Sequence, residues 1–524
     1  MAQYRIIYEC DTTVKAQLSG SFSFGSRQVR HIVYEYPSND VDGKDVTISG
    51  VIMIPSDILD GSVPCDGVIM FNHATLSSPE GALSVGGYAL DAVSAILSNP
   101  LKPNYIVVAS DYIGYGSSID HNVCYISGDT NGRNALDGLL AARQLFDDRQ
   151  IPQGKYLFNM GFSQGGTESM FAAKLTDTEE KYRSIRFDKT FSGGGPLDFE
   201  QIYSIYVQRD ACEDIADVAL MLISVNENYR LGIDYKDMFQ EPMASHALEY
   251  FRTKRKRVVS ELGVSSKDSI HEVLTPEFMN LNSAPAKKLR AKLKEISLTA
   301  GWEPDTTKNY YIEHCRHDNY VPIQCVRHII PWMKEKGFRP SLVPGKSSLQ
   351  TCTAVFKLKH QQSAIVWAIQ SMAAIQFWPV LYYEGEQNRY YKDVVHDMNV
   401  MKAIKTIESL GIDLKKIVKN GGLSRGELPS RFTWFDLIPH INDHLSKVGL
   451  TSDDLEEICE DSGISIEDLI FAYAYLISED ESSNAKAMEE RIEAPLYLLR
   501  NYEQTLASWF LLAGYDVDYS SWGM

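Results

Sequence analysis

The chain has 524 residues, 44% of them hydrophobic, and a formal net charge of −18 at neutral pH. It is long enough for a large domain with an insertion or an appended domain, and apolar enough to bury a substantial core. The acidic balance excludes a nucleic-acid binder, which needs clustered Lys and Arg against phosphates; the one basic cluster, Arg252 to Arg257, reads as a solvated helix face.

The eight cysteines, at 10, 65, 124, 212, 315, 325, 352 and 459, form no C-x-x-C and no regular framework. In a chain of this size they read as reduced, mainly buried residues. No lysine-flanked apolar leader follows Met1, and no run of about 20 apolar residues could span a membrane. The expected location is cytoplasmic as the chain stands, or periplasmic or secreted if Met1 replaces a removed signal peptide.

Taken in order, Arg30 to Tyr36 and Val46 to Pro55 have strand patterns, and Asp40 to Gly43 between them supplies a turn, so two antiparallel strands open a sheet. Gly67 to Phe71 (GVIMF) and Tyr105 to Ser110 (YIVVAS) are continuous apolar runs, as in strands covered on both faces. The first ends in Asn72-His73-Ala74-Thr75. The second ends at Asp111, which reads as a structural residue bonding nearby amides, in a loop tightened by Gly114 and Gly116. Asn131 to Phe146 carries apolar residues at helical spacing and leads to a further buried run at Tyr156 to Met160. Strand, helix and strand in this order imply a parallel sheet with crossovers.

That last strand runs into Gly161-Phe162-Ser163-Gln164-Gly165, a G-x-S-x-G, and then into a helix-compatible segment. The spacing calls for a sharp strand-to-helix turn that lifts the serine hydroxyl clear of the sheet, with glycines where the backbone folds tightly. Ser163 is then a candidate nucleophile, and the amide of Gln164, at a helix N-terminus, a candidate oxyanion donor. The plainer role for the serine is to cap the helix. The loop after an earlier strand supplies the second oxyanion donor in such a layout, here the backbone of Ala74 or Thr75. His73 precedes the serine and is better explained as part of that loop than as a base.

Lys189 to Gly195 reads as another strand end. From Pro196 to about Thr306 helical patterns dominate, among them Asp214 to Ser224, Met243 to Leu262 and Lys287 to Leu298, an insertion of lid size. The sheet resumes at Asn309 to His314. Asp318 follows, and Val321-Pro322 opens an amphipathic helix to Lys336. Asp318 can orient a histidine and stabilise its cation, or cap the helix after it. Cys352 to Leu358 is one further strand, followed by Lys359, His360 and an apolar helix from Gln361 to Val380. Ser163, Asp318 and His360 thus stand at three strand ends in the order nucleophile, acid, base, the expected catalytic triad.

These motifs are FNHAT at Phe71 to Thr75, DYIGYG at Asp111 to Gly116, GFSQGG at Gly161 to Gly166, HDNYVP at His317 to Pro322, and His360 before an apolar helix. With them, residues from about 30 to 380 resemble the α/β-hydrolases, and more narrowly the secretory lipase group of fungal A-type lipases and their bacterial relatives. Where that group usually has His-Gly in the oxyanion loop, this chain has His73-Ala74. The resemblance implies an α/β-hydrolase fold, with a mostly parallel central sheet, helices on both faces, a helical lid insertion and a helical C-terminal extension. It also implies serine hydrolysis of carboxylic esters. The expected division is core at 1–196, lid at 197–306, core again at 307–384 and a helical region at 385–524.

In the last region Thr451-x-x-Asp454 and Ser465-x-x-Asp468 read as helix starts. Eleven Asp or Glu and no Lys or Arg lie between Thr451 and Ala485, without the D-x-D-x-D-G spacing of a calcium loop, and so form a solvated acidic surface. The aromatic tail, with Trp509 and Trp522, is suited to docking on the core or to self-association through the C-terminal region.

The expected activity is esterase or lipase chemistry on a small-molecule or lipid ester, with no metal, no organic cofactor and no nucleic-acid partner. Two other readings stay open. A serine peptidase of the same fold, cutting from a free amino terminus, would need lid carboxylates such as Glu200 or Asp210 facing the site. A binding or assembly protein would keep only a residual hydrolase site.

Overall fold

The computed structural model describes residues 4–17, 23–98, 103–208, 215–253, 269–315, 318–327, 329–340, 348–352, 359–361, 363–364, 367–368, 371–372 and 374–375. Contacts divide the chain into two compact units. One holds Met1–Asp305 with Asp318–Ile329, and the other is built on Thr306–His317 and the chain from Ile330 onward.

The first unit is organised by β1 (Arg5–Gln17), β2 (Ser23–Asn39), β3 (Asp45–Pro55), β4 (Gly67–Asn72), β5 (Tyr105–Ser110), β6 (Tyr156–Phe162) and β7 (Lys189–Gly193). Their order across the sheet is β1-β2-β3-β5-β4-β6-β7. The pairs β1/β2, β2/β3 and β3/β5 are antiparallel. The pairs β5/β4, β4/β6 and β6/β7 are parallel. All residues of β4, β5 and β7 are buried. Their unbroken apolar runs therefore match strands covered on both faces.

The helices in chain order are α1 (Ser56–Leu59), α2 (Ala89–Ser98), α3 (Gly128–Asp148), α4 (Gln164–Thr178), α5 (Phe199–Tyr206), α6 (Ile215–Asn228), α7 (Tyr235–Met238), α8 (Met243–Arg252), α9 (Ile270–Val273), α10 (Pro276–Met279), α11 (Ala284–Glu295), α12 (Gln324–Arg327) and α13 (Ile329–Glu335). Leu136, Leu139, Leu145 and Phe146 of α3 join one apolar cluster with Val68, Met70, Ile106 and Val108 of the parallel strands. Each such side chain contributes roughly 1.5–3 kcal/mol on burial. In α4 every residue from Gln164 to Thr176 is buried. A helix covered all round is a core element.

In the second unit, β10 (Ser348–Cys352) lies between β8 (Tyr310–Glu313) and β9 (Arg339–Pro340), parallel to both. β10 meets the strand expected at Cys352 to Leu358 at its first residue, and residues 353–358 fall outside the described residues.

Two elements differ from the sequence reading by addition. β1 is an edge strand with mostly solvent-facing residues, and its charges hide the pattern; Arg30 of β2 pairs with Glu9 and Asp11 across it at 2.9 and 2.5 Å. α2 follows a turn region that the apolar runs on either side overshadowed. The expected helical stretch between the two sheet portions is observed as α5 to α11, apart from residues 209–214 and 254–268. The latter range takes in most of the basic cluster. The region 385–524, with the acidic surface and aromatic tail expected there, lies wholly outside the described residues.

Candidate active site

Ser163 stands alone between the end of β6 and the start of α4, with φ 57° and ψ −124°. A side chain in this left-handed region is costly, of order 1–3 kcal/mol, and persists only where the surroundings impose it. The surroundings here are backbone contacts. A Cβ on Gly161 would collide with the backbone of Gly165, and a Cβ on Gly165 with the backbone of Asn72. The Ser163 amide donates to Gly193 O on β7 at 2.8 Å, and its carbonyl accepts from the amides of Gly166 and Thr167 at 2.9 and 3.2 Å. The Ser163 side chain makes no capping hydrogen bond to the helix. The plain capping role is thereby set aside. Gln164 is the first residue of α4, and the first four amides of a helix have no partner within it.

Above this turn is a small pocket of about 40 Å³, partly open to solvent, with Ser163 and Gln164 in its wall. α5 contributes Ile202 and Tyr206, and α6 contributes Asp217, Val218 and Met221. Tyr125 and Ile126, ahead of α3, and Tyr320 and Val321, ahead of α12, complete most of the rest.

Asp318 is buried, and its Oδ1 accepts from the amides of Tyr320 at 2.9 Å and Val321 at 2.7 Å. The carboxylate therefore shapes the turn that presents those two residues to the Ser163 pocket. It stands ahead of α12 rather than on the helix's own first amides.

The oxyanion-loop candidates lie after β4. Thr75 Oγ1 is 3.3 Å from the hydroxyl of Tyr125, which itself lines the Ser163 pocket. His73 is enclosed. Its Nδ1 is 2.7 Å from Ala74 O, its Nε2 is 3.2 Å from Asp111 O, and its ring packs against that of Tyr112 at 4.1 Å between centroids, tilted by 31°. Burial pushes its pKa below the ordinary imidazole value. The neutral ring can donate to only one of these carbonyls; enclosed in the loop with both nitrogens facing backbone, it is placed to stiffen the loop rather than to transfer protons. Asp111 is likewise structural, accepting Ser49 Oγ at 2.7 Å and the Ser84 amide at 3.2 Å.

His360 belongs to the second unit, where it is buried at the start of a helical segment. Ser363, one turn on, donates to both carboxylate oxygens of Glu313 on β8, at 2.7 and 2.9 Å. Both side chains are buried. The turn that carries His360 is thus tied to a strand of its own unit. In the sequence Glu313 is inconspicuous, an acid near the end of a strand.

Glu168, five residues after Ser163 on α4, is equally inconspicuous in the sequence. Glu168 is completely buried; Oε1 accepts from Asn131 Nδ2 at 2.9 Å and Gln164 Nε2 at 3.3 Å, and Oε2 has no hydrogen-bond partner among the described residues. Loss of hydration drives its pKa up to about 8. It is a neutral acid at pH 7, packed beneath the nucleophile turn. The signal that could have revealed it is the apolar and small-residue surroundings of an acid in the middle of GGTESMFAA.

The Glu200 carboxylate accepts Arg290 Nε at 2.6 Å and Ser204 Oγ at 2.7 Å, and Asp210 lies outside the described residues. Among the described residues no group of three or more His, Cys, Asp or Glu is placed to hold a metal ion, and no helix is long and apolar enough to cross a membrane.

Residues 82–179, which include the Ser163 turn, match the family model described as secretory lipase. The chain is a carboxylic ester hydrolase similar to the secretory lipases. Solved structures share its α/β-hydrolase fold. A Legionella pneumophila protein assigned as a hydrolase aligns at 15% identity and TM-score 0.58, over 72% of this chain and 100% of its own. The rice cell wall degrading esterase LipA of Xanthomonas oryzae, in a ligand-bound form, aligns at 17% identity and TM-score 0.55, over 71% and 96%. Candida antarctica lipase A in its closed state aligns at 14% and 0.52, over 71% and 81%. No curated protein sequence matches this hydrolase.

Proposed function

We propose that the protein hydrolyses its esters by two-step acyl transfer at Ser163. His360 accepts the hydroxyl proton as Ser163 attacks the carbonyl carbon, and Asp318 holds the imidazole in the right tautomer and stabilises its cation. The amides of Gln164 and of Thr75 or Ala74 receive the oxyanion, worth about a hundredfold or more in rate per donor. Collapse of the tetrahedral intermediate returns the proton to the leaving alcohol and leaves an acyl-serine. Water, deprotonated by His360, then attacks the acyl-serine and frees the acid.

The observation that carries this reading is the backbone of Ser163, held at positive φ between a buried strand and a core helix under a pocket. The helices from α5 to α11 act in it as a cap over the pocket, within the core, lid and C-terminal division expected from sequence. Similarity to secretory lipases favours an exported protein over a cytoplasmic one.

The test is initial rates on p-nitrophenyl esters from acetyl to palmitoyl, for the native protein and Ser163→Ala. Loss of turnover in the variant, with folding intact by circular dichroism, is expected. Equal rates in both proteins would remove Ser163 from the mechanism.

A further inference from the structure

The two oxyanion donors of the proposed mechanism come from different elements, the Gln164 amide from the head of α4 and the amide of Thr75 or Ala74 from the loop after β4. They can serve one oxygen only if that loop and the nucleophile turn keep a fixed separation. Asn72, the last residue of β4, stands in the seam between them and pairs in register with Gly161 of β6. Side chains two apart on a strand share a face. Val68 and Met70, on the Asn72 face of β4, belong to an apolar cluster with Ala172 and Leu175 of α4, and so does Leu157, on the Asn159 face of β6. Both faces turn polar at the next position toward Ser163, at Asn72 and Asn159. These two and Ser169 of α4 are fully buried.

The three side chains form one connected set of hydrogen bonds. Asn72 Nδ2 donates one hydrogen to Asn159 Oδ1 at 2.8 Å and the other to Ser169 Oγ at 2.9 Å. Ser169 Oγ donates in turn to Gly165 O at 2.8 Å, and Asn159 Nδ2 donates to Ser169 O at 2.8 Å. The route that starts at the end of β4 therefore finishes on the carbonyl of the residue next to Gln164. Sealing amides and a hydroxyl in the interior costs desolvation that apolar side chains of similar size would avoid, so packing alone does not account for them. The backbone follows the same seam, since Gly165 lacks the Cβ that would strike the Asn72 and His73 carbonyls. On the loop's other side the Tyr112 hydroxyl donates to His73 O at 3.2 Å. We propose that Asn72 is a positioning residue for ester hydrolysis, its side-chain amide locking the loop that carries one oxyanion donor to the helix that carries the other. This rests on the reading of Gln164 and of Thr75 or Ala74 as those donors.

The experiment uses the native protein, Asn72→Leu, which fills the same space without hydrogen bonds, and Ser169→Ala, which removes one hydroxyl and decides the matter if the first variant does not fold. Active sites are counted from the p-nitrophenol released by diethyl p-nitrophenyl phosphate, run to completion. A fault of folding lowers that count, whereas a fault of position lowers kcat per counted site. On p-nitrophenyl butyrate, kcat per site should fall about tenfold or more in Asn72→Leu and by several-fold in Ser169→Ala, with KM within about twofold. The inhibition constant of butylboronic acid should rise by a similar factor in each variant, because its tetrahedral serine adduct places an oxygen where the oxyanion forms.

A kcat per site within about twofold of native in Ser169→Ala would overturn the proposal and leave the network a matter of stability alone. A fall in kcat with unchanged boronate inhibition would overturn it too, since the loss would then lie away from the oxyanion. The reading beneath it fails in a different way. A native protein that releases no p-nitrophenol from the phosphate and turns over no ester would refute acyl transfer at Ser163, and this role of Asn72 with it.

Discussion

Replacing Glu168 with glutamine changes one proton and almost no volume, which makes it a sharp probe of the nucleophile helix. In the folded protein the carboxyl is fully buried, its hydrogen-bond donors are two neutral amides, and its pKa is raised from 4.5 to about 8. In the unfolded chain it titrates near its ordinary value. Between the two values the native state holds a proton that the unfolded state has lost, so stability falls as pH rises through this window. Each pH unit is worth about 1.4 kcal/mol, and the window spans three to four units, so the protein loses as much as about 5 kcal/mol from this one group. Glutamine has no such dependence. Guanidinium unfolding of the native protein and Glu168→Gln at pH 5, 6.5 and 8 should therefore give curves that diverge as pH rises, with the variant gaining. Subtracting one protein from the other cancels the titration of all shared groups. Parallel curves, with the same difference at pH 5 and pH 8, would mean that Glu168 is ionised in the fold and that the helix beneath Ser163 is wetter than its packing implies.

Two further perturbations test the turn and the histidine separately. Gly165→Ala would place a methyl on the Asn72 backbone, which cannot move without shifting β4; the expected loss exceeds about 3 kcal/mol, read as a drop in melting temperature or in soluble yield. Ser363→Ala removes the donor that ties the His360 turn to Glu313. With His360 as base, kcat on a p-nitrophenyl ester should fall about tenfold or more with little change in KM, since a small misplacement of a catalytic group acts on the chemical step. An unchanged kcat would detach the Glu313 contact from catalysis.

The interior of the fold was readable in the sequence because burial there is complete. GVIMF, YIVVAS and YLFNM have no polar face, and strands of that kind are recognised without knowing their neighbours. Ser163 was readable for a related reason: a G-x-S-x-G is a local steric demand, met by residues that are adjacent in the chain. β1 was not, because an edge strand whose charges pair across to Arg30 carries little hydrophobic pattern. Glu168, Asp217 and Glu313 were not readable for the opposite reason. An acid at any of these positions is unremarkable until tertiary packing sets what surrounds it, and for Glu168 those surroundings come from α3, more than thirty residues upstream.

The backbone at position 163 also bears on how this protein would respond to selection for robustness. A residue held at positive φ is a debt that glycine would cancel, and Ser163 is the residue on which turnover is proposed to depend. Heat-tolerant variants sought by folding alone would therefore tend to drift toward dead proteins at this site. Hardening the scaffold without silencing it requires that every survivor also be scored for turnover.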